Sequence, residues 1–128
     1  MPVEGMPEFE AALAAMLARV RVGARRAAED AAHIVEGAAE GRVPVKTGTL
    51  RRSIRSFVSR DDPAEVGYSV APTVVYARRI ELGFQGPDSL GRVYHQAPRP
   101  YLKPAVHGSL SRISAVIQTR MAAAIRGR

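Results

Sequence analysis

PEFEAALAAMLARVRVGARRAAEDAAHIVEGAAE, residues 7–40, places Phe9, Leu13, Met16, Val20, Ala24, Ala27, Ala31, Ile34 and Ala38 at steps of three and four. That spacing sets one apolar stripe along a helix. Arg19, Arg25, Arg26, Glu29 and Glu36 flank the stripe. Alanine supplies helix propensity without bulk, so the stripe can lie close to a neighbouring backbone. Gly23 is the weak point, where a bend is expected. Some 30 residues of helix extend ~45 Å, against a diameter of ~36 Å for a compact globule of this chain length. Such a helix outruns its own domain. Phe9, Leu13, Met16, Leu17 and Val20 are therefore the expected subunit interface.

Outward from this helix, Gly41 and Pro44 are its expected stop, and Pro44 holds Val43 extended. KTGTLRRSI then reads as a short helix, with Thr47 as N-cap, Thr49 as the competing cap, and Leu50 and Ile54 on one face. Arg55–Arg60 sets Phe57 among polar neighbours and meets a turn at Asp61-Asp62-Pro63. Glu65–Ala71 puts Val66, Tyr68 and Val70 on one face, which completes a β-hairpin. Pro72–Leu82 returns to helical spacing, with Tyr76 and Ile80 four apart and Gly83 as the stop. Phe84–Gly91, broken by Gly86, Pro87 and Gly91, reads as an exposed loop. Arg92–Gln96 is a candidate third strand. A final helix opens near Pro104 and aligns Val106, Leu110, Ile113, Ile117, Met121 and Ala124.

The fold class is thus α+β: long N- and C-terminal helices packed on a small antiparallel β-sheet, with short helices between. One domain is expected over 1–128, its helices at 7–40 and 104–126 flanking an α+β centre at 43–103. The 128 residues should bury roughly two thirds of their unfolded surface. Aromatics make up 5% and Trp is absent, so aliphatic side chains must build the core. Without Cys there is no disulfide, thiolate metal site or cysteine nucleophile, as suits a reducing cytosol. No apolar run approaches the ~20 residues of a membrane span. The acidic start, MPVEGMPEFE, is unlike a signal peptide. A soluble, full-length protein is expected.

Net charge is +7 and the pI about 10.8. A basic surface of this kind suits nucleic acid or an acidic partner. The same charge also follows from an Ala- and Arg-rich composition, and no block of like charges stands out. His33, His95 and His107 form none of the pairs that helical metal sites use. The serines lie in no nucleophile elbow, and Asp61 and Asp62 are turn formers. Thr47-Gly48-Thr49 lacks the frame of a phosphate loop. No catalytic, metal or cofactor site is expected, and no nucleic-acid-binding module is recognisable.

Three segments in order carry a resemblance: VPVKTGTLRRSI (Val43–Ile54), YARRIELGF (Tyr76–Phe84) and APRPYLKPAV (Ala97–Val106). Together, with an amphipathic helix on either side, they resemble the tail-completion proteins of long-tailed bacteriophages, including the minor tail protein Z group. Lys46 stands where that family commonly has an acid, and Phe84 where it often has Thr. The matching positions are Pro44, Thr47, Gly48, Leu50, Arg51, Tyr76, Glu81, Gly83, Pro100, Leu102 and Pro104. They read as fold determinants. Gly48 and Gly83 set helix boundaries, the prolines fix chain direction, and Leu50, Tyr76, Ile80 and Leu102 fill the centre. Glu81 lies near a helix C-terminus, where the helix dipole disfavours an acid; a positive partner such as Arg51 or Arg52 would offset that, and a solvated glutamate is the other reading.

The resemblance implies a non-enzymatic virion protein of the neck, assembled in the host cytoplasm. It further implies a homo-oligomeric ring, often a hexamer, around the axis along which DNA leaves the head without sequence-specific binding. The head-side connector or stopper would lie on one face, and the tail terminator and tail tube on the other. The competing readings are a tail terminator or head-closure protein of the same neck and, outside that class, a small basic nucleic-acid-binding protein. Salt-sensitive binding of free duplex would mark the last.

Overall fold

The computed structural model describes residues 4–44, 48–62, 64–87 and 89–127. Its order is α1 (Met6–Arg42), α2 (Thr49–Ser53), β1 (Ile54–Asp61), β2 (Val66–Pro72), α3 (Ala77–Leu82), β3 (Phe84–Pro87), β4 (Val93–Gln96) and α4 (Leu102–Arg126). This is the expected α+β arrangement of two long helices around short helices and antiparallel strands.

Gly5, at φ 86°, caps the start of α1, and its carbonyl accepts the Phe9 N–H at 3.0 Å. The helix runs through Gly41 to Arg42, and Val43 leaves it in an extended conformation. Pro44 therefore enforces the stop, because a residue before proline is driven out of helical geometry. The 37 residues extend about 55 Å. The helix is continuous through Gly23. A Cβ there would lie 2.5 Å from the Ala124 Cβ of α4, so the glycine permits a close helix crossing.

The buried line of α1 is Gly23, Ala27, Ala32, Val35 and Ala39. The expected stripe passed through Ala31, Ile34 and Ala38, one residue away, and those side chains are only half-buried. Small residues stand on both sides of the line, so sequence periodicity fixes its rotation poorly. A larger correction applies to α4, whose buried residues are Ala105, Ser109 and Ala124. Val106, Leu110 and Ile117 are exposed instead. The α1–α4 contact is made by small side chains at close range, and this turns the bulky ones outward.

β1 and β2 form the expected hairpin, with Ile54 opposite Pro72, Ser56 opposite Val70 and Val58 opposite Tyr68. Its tip is an Asx turn: the Asp62 carboxylate accepts the Ala64 and Glu65 N–H groups, both at 2.9 Å. The tip is also tied to α1. Arg21 reaches the Asp62 carbonyl at 2.7 Å, and Arg21 and Arg25 both reach the Asp61 carboxylate. Asp61 is thus a clamp as well as a turn residue.

Several sequence expectations fail in the centre. Phe84–Pro87 is strand, not loop, and pairs with β4 in a second two-stranded sheet, Phe84 opposite Gln96 and Pro87 opposite Val93. Both strands of such a ribbon are edges, where glycine and proline are tolerated. Hence β4 is not a third strand of the first sheet. The second failure is Tyr76, which precedes the six-residue α3 as its N-cap residue and is 40% exposed. Pro72 belongs to β2, so the helix is shorter than its spacing suggested.

The core joins Ala39 and Val43 of the α1 end, Leu50, Ile54, Ala77, Tyr101 and Ala105. Val70, Val74, Ile80 and Leu102 pack around it half-buried. Tyr101, not Tyr76, is the aromatic anchor, and among the described residues it and Ile54 are the largest side chains fully removed from solvent. Its hydroxyl donates to the Ala77 carbonyl at 3.5 Å.

Gly83 joins α3 to β3 at φ 76°, where L side chains are strained. A Cβ there would stand 2.7 Å from the Gln96 carbonyl oxygen and 2.9 Å from the Pro98 nitrogen. Those obstacles are backbone and cannot swing aside. Gly83→Ala is expected to destabilise the fold by about 2 kcal/mol or more, measured by urea denaturation. An unchanged midpoint would show that the β3–β4 ribbon moves freely from α3.

Candidate assembly surface

The three sequence segments with family character meet in the core. Leu50 and Ile54 come from the first, Ala77 and Ile80 from the second, Tyr101, Leu102 and Ala105 from the third. Gly48, at φ 80°, starts α2 and accepts the Arg52 N–H at 3.0 Å. Pro44 and Pro104 are half-buried, while Arg51 and Pro100 are exposed. Thr47, the expected N-cap of α2, and Lys46 lie outside the described residues.

Glu81 holds these segments together, though not through arginine. Its carboxylate accepts the N–H groups of Tyr101 at 2.7 Å, Leu102 at 3.0 Å and Lys103 at 3.1 Å. These donors open α4, where a helix has no partners of its own and its dipole favours negative charge. The carboxylate of α3 is therefore the N-terminal cap of α4. A sequence signal for this existed: no Ser, Thr, Asp or Asn stands at 99–101 to cap the helix locally. Burial pushes the Glu81 pKa up, but the three N–H donors outweigh it and hold the carboxyl below its ordinary value. Burial and then the Glu81 charge push the Tyr101 hydroxyl up.

Because the folded pKa of Glu81 lies below the unfolded one, its contribution is present in full above the unfolded value and is lost as pH falls through the folded one. Glu81→Gln is expected to lose about 1–2 kcal/mol at neutral pH. The gap to the parent protein should narrow below pH ~4 as the native carboxylate protonates. A gap independent of pH would mean that shape, not charge, matters at this position.

The exposed part of α1 is the second feature. Every residue from Glu4 to Ala15 is exposed, so the first turns of the helix form an arm beyond the body. Phe9 is 62% exposed, Leu17 59% and Leu13 43%, while Met16 and Val20 are half-buried. These are the residues expected at a subunit interface, and four- and three-residue steps keep them on one side of the arm. The accessible surface is 9079 Å², whereas a compact globule of 13.8 kDa would expose about 6,600 Å². The excess is of the size that assembly removes.

Among the described residues, no group of three or more His, Asp or Glu is placed to hold a metal ion. His33, His95 and His107 are all exposed. No described helix is long and apolar enough to cross a membrane. Among the described residues, several open grooves line the surface. One of about 340 Å³ runs between β2 and α4, floored by Ala28, Ala31 and Val35 of α1.

Comparison with known families matches residues 8–83 to the HK97-gp10-like family, described as a bacteriophage HK97-gp10 tail component. The match takes in α1, the first hairpin and α3, up to the Gly83 that ends it. No curated protein and no solved structure matches the chain.

Proposed function

Since the chain belongs to the HK97-gp10-like family of bacteriophage tail components, and so is a structural protein of the virion tail, we propose that it completes the tail at the head–tail junction. In this reading it forms a ring, a hexamer by resemblance to the tail-completion proteins and the minor tail protein Z group. The ring seats on the head-side connector or stopper and meets the tail terminator and tail tube on its other face. Genomic DNA passes through without sequence-specific contact. Assembly takes place in the host cytoplasm, and the protein catalyses no reaction.

The observation that carries the proposal is the arm. The first turns of α1, from Glu4 to Ala15, are exposed throughout and carry Phe9 and Leu13, with the exposed Leu17 one turn further on. Apolar surface of that kind marks a contact with another chain. Deleting the gene tests the reading. Filled heads and tails of normal length should accumulate unjoined in electron micrographs, and the intact gene supplied in trans should restore infectious particles. Tails of uncontrolled length would instead identify a terminator, and joined particles would remove the protein from the neck altogether.

A further inference from the structure

Residues 42–55 hold Arg42, Lys46, Arg51, Arg52 and Arg55 and no acid. Residues 76–103 add five more bases, against Glu81 and Asp88. Ten of the 19 bases but only two of the 12 acids thus fall in these two stretches. An Arg-rich composition alone would spread the bases without excluding the acids. The fold brings the stretches together, since Leu50 and Ile54 of the first share the core with Ala77 and Tyr101 of the second. That core also holds Ala39, about 36 Å along α1 from Ala15 of the arm. Around it Arg42, Arg51, Arg52, Arg55, Arg78 and Lys103 are exposed, and none of the six is in an ion pair. The preceding acids on α1, Glu36 and Glu40, are half-buried and pair with none of these bases. Glu81 is occupied in capping α4. On the α2 side no large apolar side chain is exposed among the described residues from 42 to 56, the first being Phe57.

We propose that this end of the subunit, centred on Arg42, Arg51, Arg52 and Arg55, is a sequence-independent binding surface for the phosphate backbone of duplex DNA. A protein partner would require an apolar centre in such a patch, and a lipid surface an apolar side chain to insert. A phosphate backbone requires neither, and the planar guanidinium of arginine matches its oxygens. Contacts of this kind hold the duplex without reading its bases. The acidic arm, with Glu4, Glu8 and Glu10 and no base, lies at the opposite end of α1. A ring would therefore carry its basic ends toward the DNA path and its arms away from it. The inference rests on the proposed function only in identifying that DNA as the phage genome.

Fluorescence anisotropy of a labelled, mixed-sequence duplex titrated with the full-length protein tests this. Affinity should fall roughly a hundredfold between about 50 and about 200 mM salt, the loss expected for four neutralised phosphates. Arg51→Gln with Arg52→Gln should weaken binding about tenfold or more and lower the salt slope by about two. Arg26→Gln with Arg126→Gln removes the same charge from exposed, unpaired arginines outside this surface, and should change the affinity less than about threefold. Urea midpoints of the variants are measured alongside, and Arg42→Gln with Arg55→Gln serves as a second pair should the first one unfold. Equal losses in the surface and control pairs would reduce the binding to net charge and overturn the proposal. So would a surface pair that binds like the parent protein, or a parent that binds no duplex at low salt. Tighter binding of polyglutamate or of phosphatidylserine vesicles than of duplex would assign the surface to an acidic protein or a membrane instead. The gene-deletion phenotype is read separately. Joined particles there alongside duplex binding would sink the neck role and leave this surface standing, whereas unjoined particles without duplex binding would do the reverse.

Discussion

Tyr101→Ala is expected to lower stability by about 4 kcal/mol, the range for removing a fully buried aromatic. Tyr101 has no exposed surface, and its ring packs where the ends of α1, α2, α3 and the start of α4 meet. It is also the residue whose N–H makes the shortest bond to the Glu81 carboxylate, at 2.7 Å. Truncation thus opens a cavity at the junction of the three family-like segments and loosens the cap of α4. Tyr101→Phe should lose less than about 1 kcal/mol, because the hydroxyl bond to the Ala77 carbonyl is long at 3.5 Å. Tyr76→Ala, at a 40% exposed site, should also cost about 1 kcal/mol or less. Urea denaturation of the three variants gives the ranking. If Tyr76→Ala matches Tyr101→Ala, the core has been assigned to the wrong tyrosine.

The largest effect on assembly is expected from Leu13→Glu combined with Leu17→Glu. Both side chains are exposed, so the subunit should fold with an unchanged denaturation midpoint. Incorporation into virions should nevertheless be lost, because two carboxylates would have to be buried in an apolar contact already flanked by Glu8 and Glu10. The expected micrograph shows unjoined heads and tails. Hydrogen exchange supplies an independent check on the isolated subunit. Amides of Phe9–Arg19 should exchange faster than those of Ile113–Met121, since the arm has only its own helical bonds to protect it. Equal protection would place the arm in the core of the subunit and remove its role in assembly.

Much of the fold was legible in the sequence because it depends on local signals. The run of alanines and spaced apolar residues over 7–40 determines a helix whatever it packs against. Asp62 forms its turn through a side chain acting on the neighbouring backbone, Gly83 ends a helix because glycine accepts a positive φ, and Pro44 because it drives Val43 into an extended conformation. The length of α1 also followed from its sequence, and with it the prospect of an arm. Tertiary structure alone decided which faces are buried and what pairs with what. On α4 the bulky stripe of Val106, Leu110 and Ile117 looked like core, but the buried residues are Ala105, Ser109 and Ala124, and where Ala124 crosses Gly23 the two helices meet so closely that only small residues fit. Glu81 looked like a poorly placed acid in need of an arginine until α4 was brought to it, presenting three N–H groups that no neighbour in sequence could supply. Tyr76 and Tyr101 are indistinguishable by residue type, and only the convergence of four chain segments selected the second as the anchor. Periodicity reports that a helix has an apolar side, whereas the approach distance of its neighbour decides whether that side is core or contact surface.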